Sequence, residues 1–151
     1  WDERNVYLNL QNSNRQIQIG DVYLMKFNGQ GNAQKGWRPG VVFQNNLGNT
    51  FSPNLIVLPL TSSLKKQNQP THVMIPADEN TGLKKDSMVL CENPERMSKE
   101  RLGSYLTTLP KEYMAQVAIA NLLATSAISF IDPDILLGVW QKSLALNAQV
   151  A

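Results

Sequence analysis

A single cysteine, a single histidine and a near balance of charge constrain this 151-residue chain before any motif is considered. Cys91 has no second thiol with which to form an internal disulfide or share a metal, and its neighbours Met88 to Leu90 are apolar. It reads as a small buried hydrophobe in a chain kept in a reducing, cytoplasmic compartment. His72, being alone, excludes two-histidine acid–base catalysis within one chain, and a lone strand histidine is more often surface or hydrogen-bonded than catalytic. There is no zinc pattern of Cys and His, no pair of aspartates at two-metal spacing and no nucleophile elbow, so no metal and no cofactor are expected. No uninterrupted apolar run is long enough to cross a bilayer, so no membrane partner is expected either. The net charge of +2, from 14 basic and 12 acidic side chains, supports nucleic-acid binding only if the basic groups gather on one face. With 42% apolar and 17% charged residues the composition fits one globular domain. The chain opens on Trp1 rather than methionine, which leaves a removed leader open.

What is present is organised around residues 38–63. Two apolar runs, Val41 to Phe43 and Leu55 to Leu60, flank an Asn/Gly/Ser/Pro stretch and read as strand, long hairpin, strand. Arg38 precedes the first run and Thr61 follows the second, so antiparallel pairing brings a permanent cation and a hydroxyl to the same end of the sheet. Upstream, Ile19 to Phe27 reads as a strand, with Val22, Leu24 and Lys26 on one face and Tyr23, Met25 and Phe27 on the other. Val6, Leu8 and Leu10 alternate with polar residues and predict a short edge strand. Asn28 to Trp37 is rich in Gly, Asn and Gln. It reads as a mobile loop over a rigid sheet rather than a nucleotide-binding P-loop, since no Gly-Lys-Ser/Thr end follows. Further strands are expected over Thr71–Ile75, Ser87–Cys91 and part of Met97–Leu106. Pro110 opens a helix with Met114, Val117, Ala118 and Leu122 at core spacing. Asp132-Pro133 offers a second helix start, with Ile135, Leu136, Val139, Trp140 and Leu144 down one side.

Taken together, Gly20 to Leu24, Arg38-Pro39, Gln44-Asn45, Gly48-Asn49, Ser52-Pro53, Leu60 to Ser62 and Pro70 to Val73 resemble the MazF/PemK (Kid) family of toxin endoribonucleases. The likeness runs on through Gly82-Leu83, Lys85 to Ser87 and Leu90 to Lys99, Arg101 and Leu102, and covers about residues 19–125. The chain departs from it at Pro94-Glu95-Arg96, where relatives usually read Glu-Gln-Ile-Arg-Thr from the position of Glu92. The family arginine is displaced by one place, which puts its usual substrate contact in question. The resemblance implies a mainly β fold, a small antiparallel SH3-like barrel with one or two C-terminal helices. The domain is expected over 19–131, with an extension at 1–18 and a helical one at 132–151.

It also implies a metal-independent endoribonuclease that cuts single-stranded mRNA at a short sequence, leaving a 2′,3′-cyclic phosphate and a 5′-hydroxyl. The family's catalytic arginine and threonine match Arg38 and Thr61. An arginine suits the phosphoryl oxygens because its guanidinium is planar, stays charged and makes paired hydrogen bonds. Thr61 can donate one hydrogen bond and accept another. Without the family, the simpler account is an ion pair for Arg38 and a strand end for Thr61. Ser62 is a supporting candidate; Glu92 and His72 are open as proton acceptors. Trp37, Gln44, Asn45, Asn49, Lys65 and Lys66 are candidate RNA-binding residues, although Asn-rich hairpins and loop lysines are common for reasons of turn and solvation alone. The implied partners are the RNA substrate, a second copy of the chain and a small acidic antitoxin. The rival readings are a non-enzymatic gyrase poison like CcdB and an inactive RNA- or partner-binding module of the same fold.

Overall fold

The computed structural model describes residues 15–29 and 35–150. The edge strand expected over Val6 to Leu10, and the middle of the Asn28–Trp37 loop, lie outside the described residues.

Seven antiparallel strands form the sheet: β1 (Asp21–Asn28), β2 (Lys35–Val42), β3 (Asn54–Thr61), β4 (His72–Ile75), β5 (Ser87–Leu90), β6 (Glu95–Ser98) and β7 (Leu102–Thr108). Their order is β4-β5-β3-β2-β1-β7, and β6 pairs with β3 off this path. Three helices complete the chain: α1 (Asn46–Phe51), α2 (Lys111–Thr125) and α3 (Leu136–Ala148). None is long and apolar enough to cross a membrane. This is the mainly β architecture with C-terminal helices that the sequence predicts. The long β2–β3 hairpin differs in one respect, since its tip winds into the six-residue helix α1. Asn45 caps that helix, its side chain accepting from Gly48 N at 2.8 Å.

The strands bury both their faces because they separate two cores. Tyr23, Met25 and Phe27 of β1 meet Val42, Leu55, Val57, Met97 and Leu102 in one core, the inside of a barrel-like curl. Val22, Val41, Leu58 and Leu60 point the other way, into a core shared with Val73, Ile75 and Val89 and covered by Val117 and Ala120 of α2. The alternation expected for β1 therefore holds, and it divides the strand between two apolar interiors rather than between core and water; of its side chains only Lys26 and Asn28 are exposed. Each such Val or Leu is stabilising by roughly 1.5–3 kcal/mol relative to exposure. On α2 the core stripe is Val117 and Ala120, with Met114 and Ala118 half-buried. Leu122, placed in that stripe by its spacing, is exposed. Cys91 is fully buried, and burial pushes its thiol up to about 12.

One buried charge ties the described start of the chain to the sheet. Asp21 accepts from Arg15 Nη2 at 3.0 Å, Thr108 Oγ1 at 2.8 Å, Gln18 N at 3.0 Å and Tyr23 Oη at 3.3 Å, so its desolvation is offset by a cation and three neutral donors. Arg15 also lies 3.9 Å over the Tyr105 ring. Burial and the Asp21 charge push the Tyr23 phenol well above its ordinary range. At the far end of the chain, Asp132 Oδ1 accepts from Asp134 N at 2.9 Å, and a short 3-10 turn leads into α3. That helix folds back on α1, where Asn46 N donates to Asn147 Oδ1 at 2.8 Å. Its residues Val139, Trp140 and Leu144, and Ile135 just before it, stay exposed.

The Pro94-Glu95-Arg96 departure falls at the start of β6, with Glu95 opposite Val57. Glu95 Oε2 is buried and finds no hydrogen-bond partner among the described residues, and burial raises the pKa of the carboxyl. The unfolded chain loses this proton first, near the ordinary value of 4.5, so native stability falls as pH rises past that point. Glu95→Gln is therefore expected to raise Tm at pH 7 by about 1–3 °C, with the gain fading below about pH 4. Thermal unfolding at the two pH values measures it, and a lower Tm for the variant at pH 7 would contradict the assignment.

Candidate active site

The β2–β3 pairing runs through Val42 opposite Val57, Val41 opposite Leu58 and Gly40 opposite Pro59. The same register carried two residues further sets Pro39 against Leu60 and Arg38 against Thr61. The ladder stops short of them. Pro39 and Pro59 have no N–H to give, and a strand proline ends or interrupts pairing. At Leu60 and Thr61, β3 pairs instead with Val89 and Met88 of β5. The two strands part, and a cleft of about 360 Å³ opens between their ends.

Its walls are Trp37, Arg38 and Pro39 on one side and Leu60, Thr61 and Ser62 on the other, closed by part of the 76–86 loop, Ser87 of β5 and Leu106 of β7. Arg38 is exposed, and its Nε donates to the Lys35 carbonyl at 2.9 Å. That bond fixes the side chain's stem, and no described residue takes a hydrogen bond from its two Nη groups. Thr61 Oγ1 accepts from Ser63 N at 3.1 Å. Its O–H takes no part in that bond and can donate to a ligand. The arrangement offers an oxyanion a planar cation from β2 and a hydroxyl donor from β3.

The loop between β4 and β5 contributes two residues that sequence reasoning passed over, Lys84 and Lys85. Thr81, fully buried, organises this loop: its Oγ1 donates to the Pro76 carbonyl at 2.6 Å and its N donates to Asp78 Oδ1 at 2.8 Å. Thr107 Oγ1 of β7 donates to the Thr81 carbonyl at 2.9 Å. Gly82 follows at φ +70°, and a Cβ there would stand 2.4 Å from Thr107 Oγ1. Glycine is required on both counts. A Lys-Lys pair after a turn glycine is the only sequence signal for this wall, and it is no stronger than that of Lys65-Lys66.

The other candidates do not converge on the cleft. Lys66 borders a shallower hollow with Leu64 and Pro70, and Lys65 is exposed on the same loop. His72 and Glu92 pair with each other, Nε2 to Oε1 at 2.7 Å, while His72 Nδ1 donates to the Lys66 carbonyl at 2.9 Å. They sit beyond the Leu90 end of β5, and the cleft is at its Ser87 end. Gln44, Asn45 and Asn49 are engaged in hydrogen bonds within the chain. Asn49 is buried and donates to the Gln44 carbonyl at 2.8 Å, Gln44 donates to the Asn54 carbonyl at 3.2 Å, and Asn45 caps α1. All three hold the β2–β3 connection in shape. Among the described residues no cluster of three His, Cys, Asp or Glu side chains is placed to hold a metal.

Comparison with known proteins follows this geometry. Residues 18–123 match the family described as the PemK-like, MazF-like toxin of type II toxin-antitoxin systems. The chain is 37% identical over 115 residues to endoribonuclease EndoA of Bacillus subtilis (strain 168), which covers 76% of the chain and 98% of that protein. Among solved structures, MazF from Deinococcus radiodurans superposes with a TM-score of 0.65 at 23% identity, covering 75% of this chain and 99% of that one. A mycobacterial endoribonuclease solved in complex with its cognate antitoxin gives 0.62 at 22% identity, covering 74% and 96%. At these identities the two structures speak for the fold.

Gly82→Ala is expected to cost about 1–3 kcal/mol of stability, from the positive φ and from the approach to Thr107. Urea unfolding measures it. The cost should shrink in a Thr107→Ala background, where the atom nearest the new methyl is gone; an equal cost in both backgrounds would mean that backbone strain alone is responsible.

Proposed function

The chain belongs to the PemK-like, MazF-like toxin family, and from that premise we propose that it is an endoribonuclease cutting single-stranded mRNA at a short sequence, in the cleft between Arg38 and Thr61. One observation carries this reading. Two side chains far apart in sequence, the cation and the hydroxyl of the family's catalytic pair, line one open cleft at the point where β2 and β3 separate.

RNA supplies its own nucleophile, the 2′-hydroxyl beside each phosphodiester. The 2′ oxygen bonds to phosphorus as the bond from phosphorus to the 5′ oxygen breaks. The 2′ proton leaves, and the departing 5′ oxygen takes one up, giving a 2′,3′-cyclic phosphate and a 5′-hydroxyl. Arg38 stabilises the charge that builds on the phosphoryl oxygens and hands a proton to the leaving oxygen, regaining one from solvent; Thr61 donates a second hydrogen bond to the same phosphoryl oxygens. Ser62 supports that contact and Trp37 offers a face on which a base can stack. His72 and Glu92 stand too far along β5 to take the proton, which passes to solvent. The positive charge comes from side chains, so the reaction needs no metal.

The catalytic unit in this reading is 19–131, with 1–18 and 132–151 as additions to it. The protein acts in the cytoplasm as a homodimer. The apolar side chains that one chain leaves in solvent, Ile119 and Leu123 on α2 and Phe130 after it, favour a second copy. Its neutraliser is a small acidic antitoxin whose extended segment fills the cationic cleft, a partnership supported by the antitoxin complex of the mycobacterial relative.

Purified protein incubated with RNA in EDTA is expected to produce fragments with 5′-hydroxyl ends at one recurring sequence. Arg38→Ala and Thr61→Ala should each lower the rate by about 10²–10³. Both side chains reach solvent, so circular dichroism should stay native. Intact RNA with the wild-type protein would favour the gyrase-poison reading, and full activity in both variants would remove the assigned pair.

A further inference from the structure

The cleft holds more positive charge than one scissile phosphate needs. Arg38, Lys84 and Lys85 line it, and no acidic residue does. Of the nearby carboxylates, Asp78 accepts from Thr81 N at 2.8 Å and Asp86 from Ala77 N at 2.7 Å, and neither these nor Glu79 forms an ion pair with Lys84 or Lys85. Among the described residues Arg15 pairs with Asp21, and the carboxyl of Glu92 is hydrogen-bonded to His72, so all three cleft cations lack an acidic partner there. Like charges gathered in one concavity without compensation repel one another and focus a field that attracts an anion.

The lysines are also carried on a fixed backbone. Asp86 closes the loop onto Ala77, Ser87 Oγ donates to the Lys85 carbonyl at 2.9 Å, and Thr81 and Thr107 anchor the turn just before Lys84. A cation on such a platform loses less freedom on binding than one on a loose loop. Between the two charged walls lie Pro39, Leu60, Leu83 and Leu106, an apolar floor that suits the face of a nucleobase.

We propose that Lys84 and Lys85 hold the phosphodiester adjacent to the scissile one, so that the RNA strand crosses the cleft from Arg38 to the 76–86 loop with one base laid on the apolar floor. This rests on the reading that RNA is cut at Arg38 and Thr61, and it assigns the second anchor of that site. The contact is to the backbone, so it sets register and affinity without reading sequence.

The test separates binding from cutting. A labelled single-stranded RNA with fluorine at every 2′ position has no nucleophile and stays intact, so its affinity for the full chain can be followed by fluorescence anisotropy from about 50 to 200 mM salt. The K84Q/K85Q double variant is expected to bind about ten-fold more weakly at low salt, and its plot of log affinity against log salt should be shallower by about 0.7, the value for one single-strand phosphate contact. The K99Q/K142Q double variant removes the same charge from the far end of the β2–β3 hairpin, outside the cleft, and should keep the wild-type slope. An unchanged slope in K84Q/K85Q, an equal loss in both double variants, or no binding of the probe by the wild type would each overturn the proposal. Cleavage of ordinary RNA is scored separately. A wild type that binds with the lysine-dependent slope yet leaves ordinary RNA intact would support the phosphate contact and end the nuclease reading.

Discussion

The site depends on a hydrogen-bond ladder that stops. β2 and β3 pair only as far as Gly40 and Pro59, and the next residues on each strand would otherwise zip together. Pro39, at the next position that faces β3, has no N–H to continue the ladder, and β3 pairs with β5 at Leu60 and Thr61. Had pairing continued, Arg38 and Thr61 would be direct cross-strand neighbours on a closed sheet, with side chains alternating to opposite faces along each strand. The separation turns a pair position into a pocket. The same transfer makes β3 the one strand shared by β6, β2 and β5, so the element that carries Thr61 is held by three strand partners.

That tie explains how an open cleft is kept rigid. Leu55 and Val57 point into the barrel interior while Leu58 and Leu60 point into the core under α2, so β3 is gripped from both faces right up to Thr61. On the opposite wall, Gly82 brings the 76–86 loop against β7 and Thr81 supplies its hydrogen bonds from a fully buried position. The exposed groups of the cleft thus stand on buried supports. The cost of repulsion between its cations is met by packing elsewhere in the fold.

How much of this was legible in the chain follows from the range of the interactions involved. Arg38 and Thr61 could be set together from sequence because they bracket one hairpin, whose register is a local property of two apolar runs. The division of β1 between two cores was visible as alternation, although only the fold shows that both sides are interior. Lys84 and Lys85 could not be told from Lys65 and Lys66. Each pair follows a strand and sits in a polar loop, and what separates them is the long-range contact from Thr107 to Thr81. Gln44, Asn45 and Asn49 are ambiguous in sequence for a related reason. The groups that make amides good readers of bases also make them good at closing turns, and here each is used inside the chain.

The positions of His72 and Glu92 carry a consequence for the chemistry. Both ring nitrogens of the imidazole are engaged, Nδ1 with the Lys66 carbonyl at 2.9 Å and Nε2 with the Glu92 carboxyl at 2.7 Å. Glu92 in turn spends an oxygen on His72. The only histidine of the chain and the carboxylate beside it thus clamp the 62–71 loop to the end of β5, which is a structural task. What remains in the cleft is charge and hydrogen-bond donation with no base of ordinary strength. A reaction that suits such a site is one whose nucleophile is already attached to the substrate and whose barrier lies mainly in charge on phosphoryl oxygens. Cleavage of RNA by its own 2′-hydroxyl has that character. Hydrolysis by an external water, which needs a group to activate the water, does not.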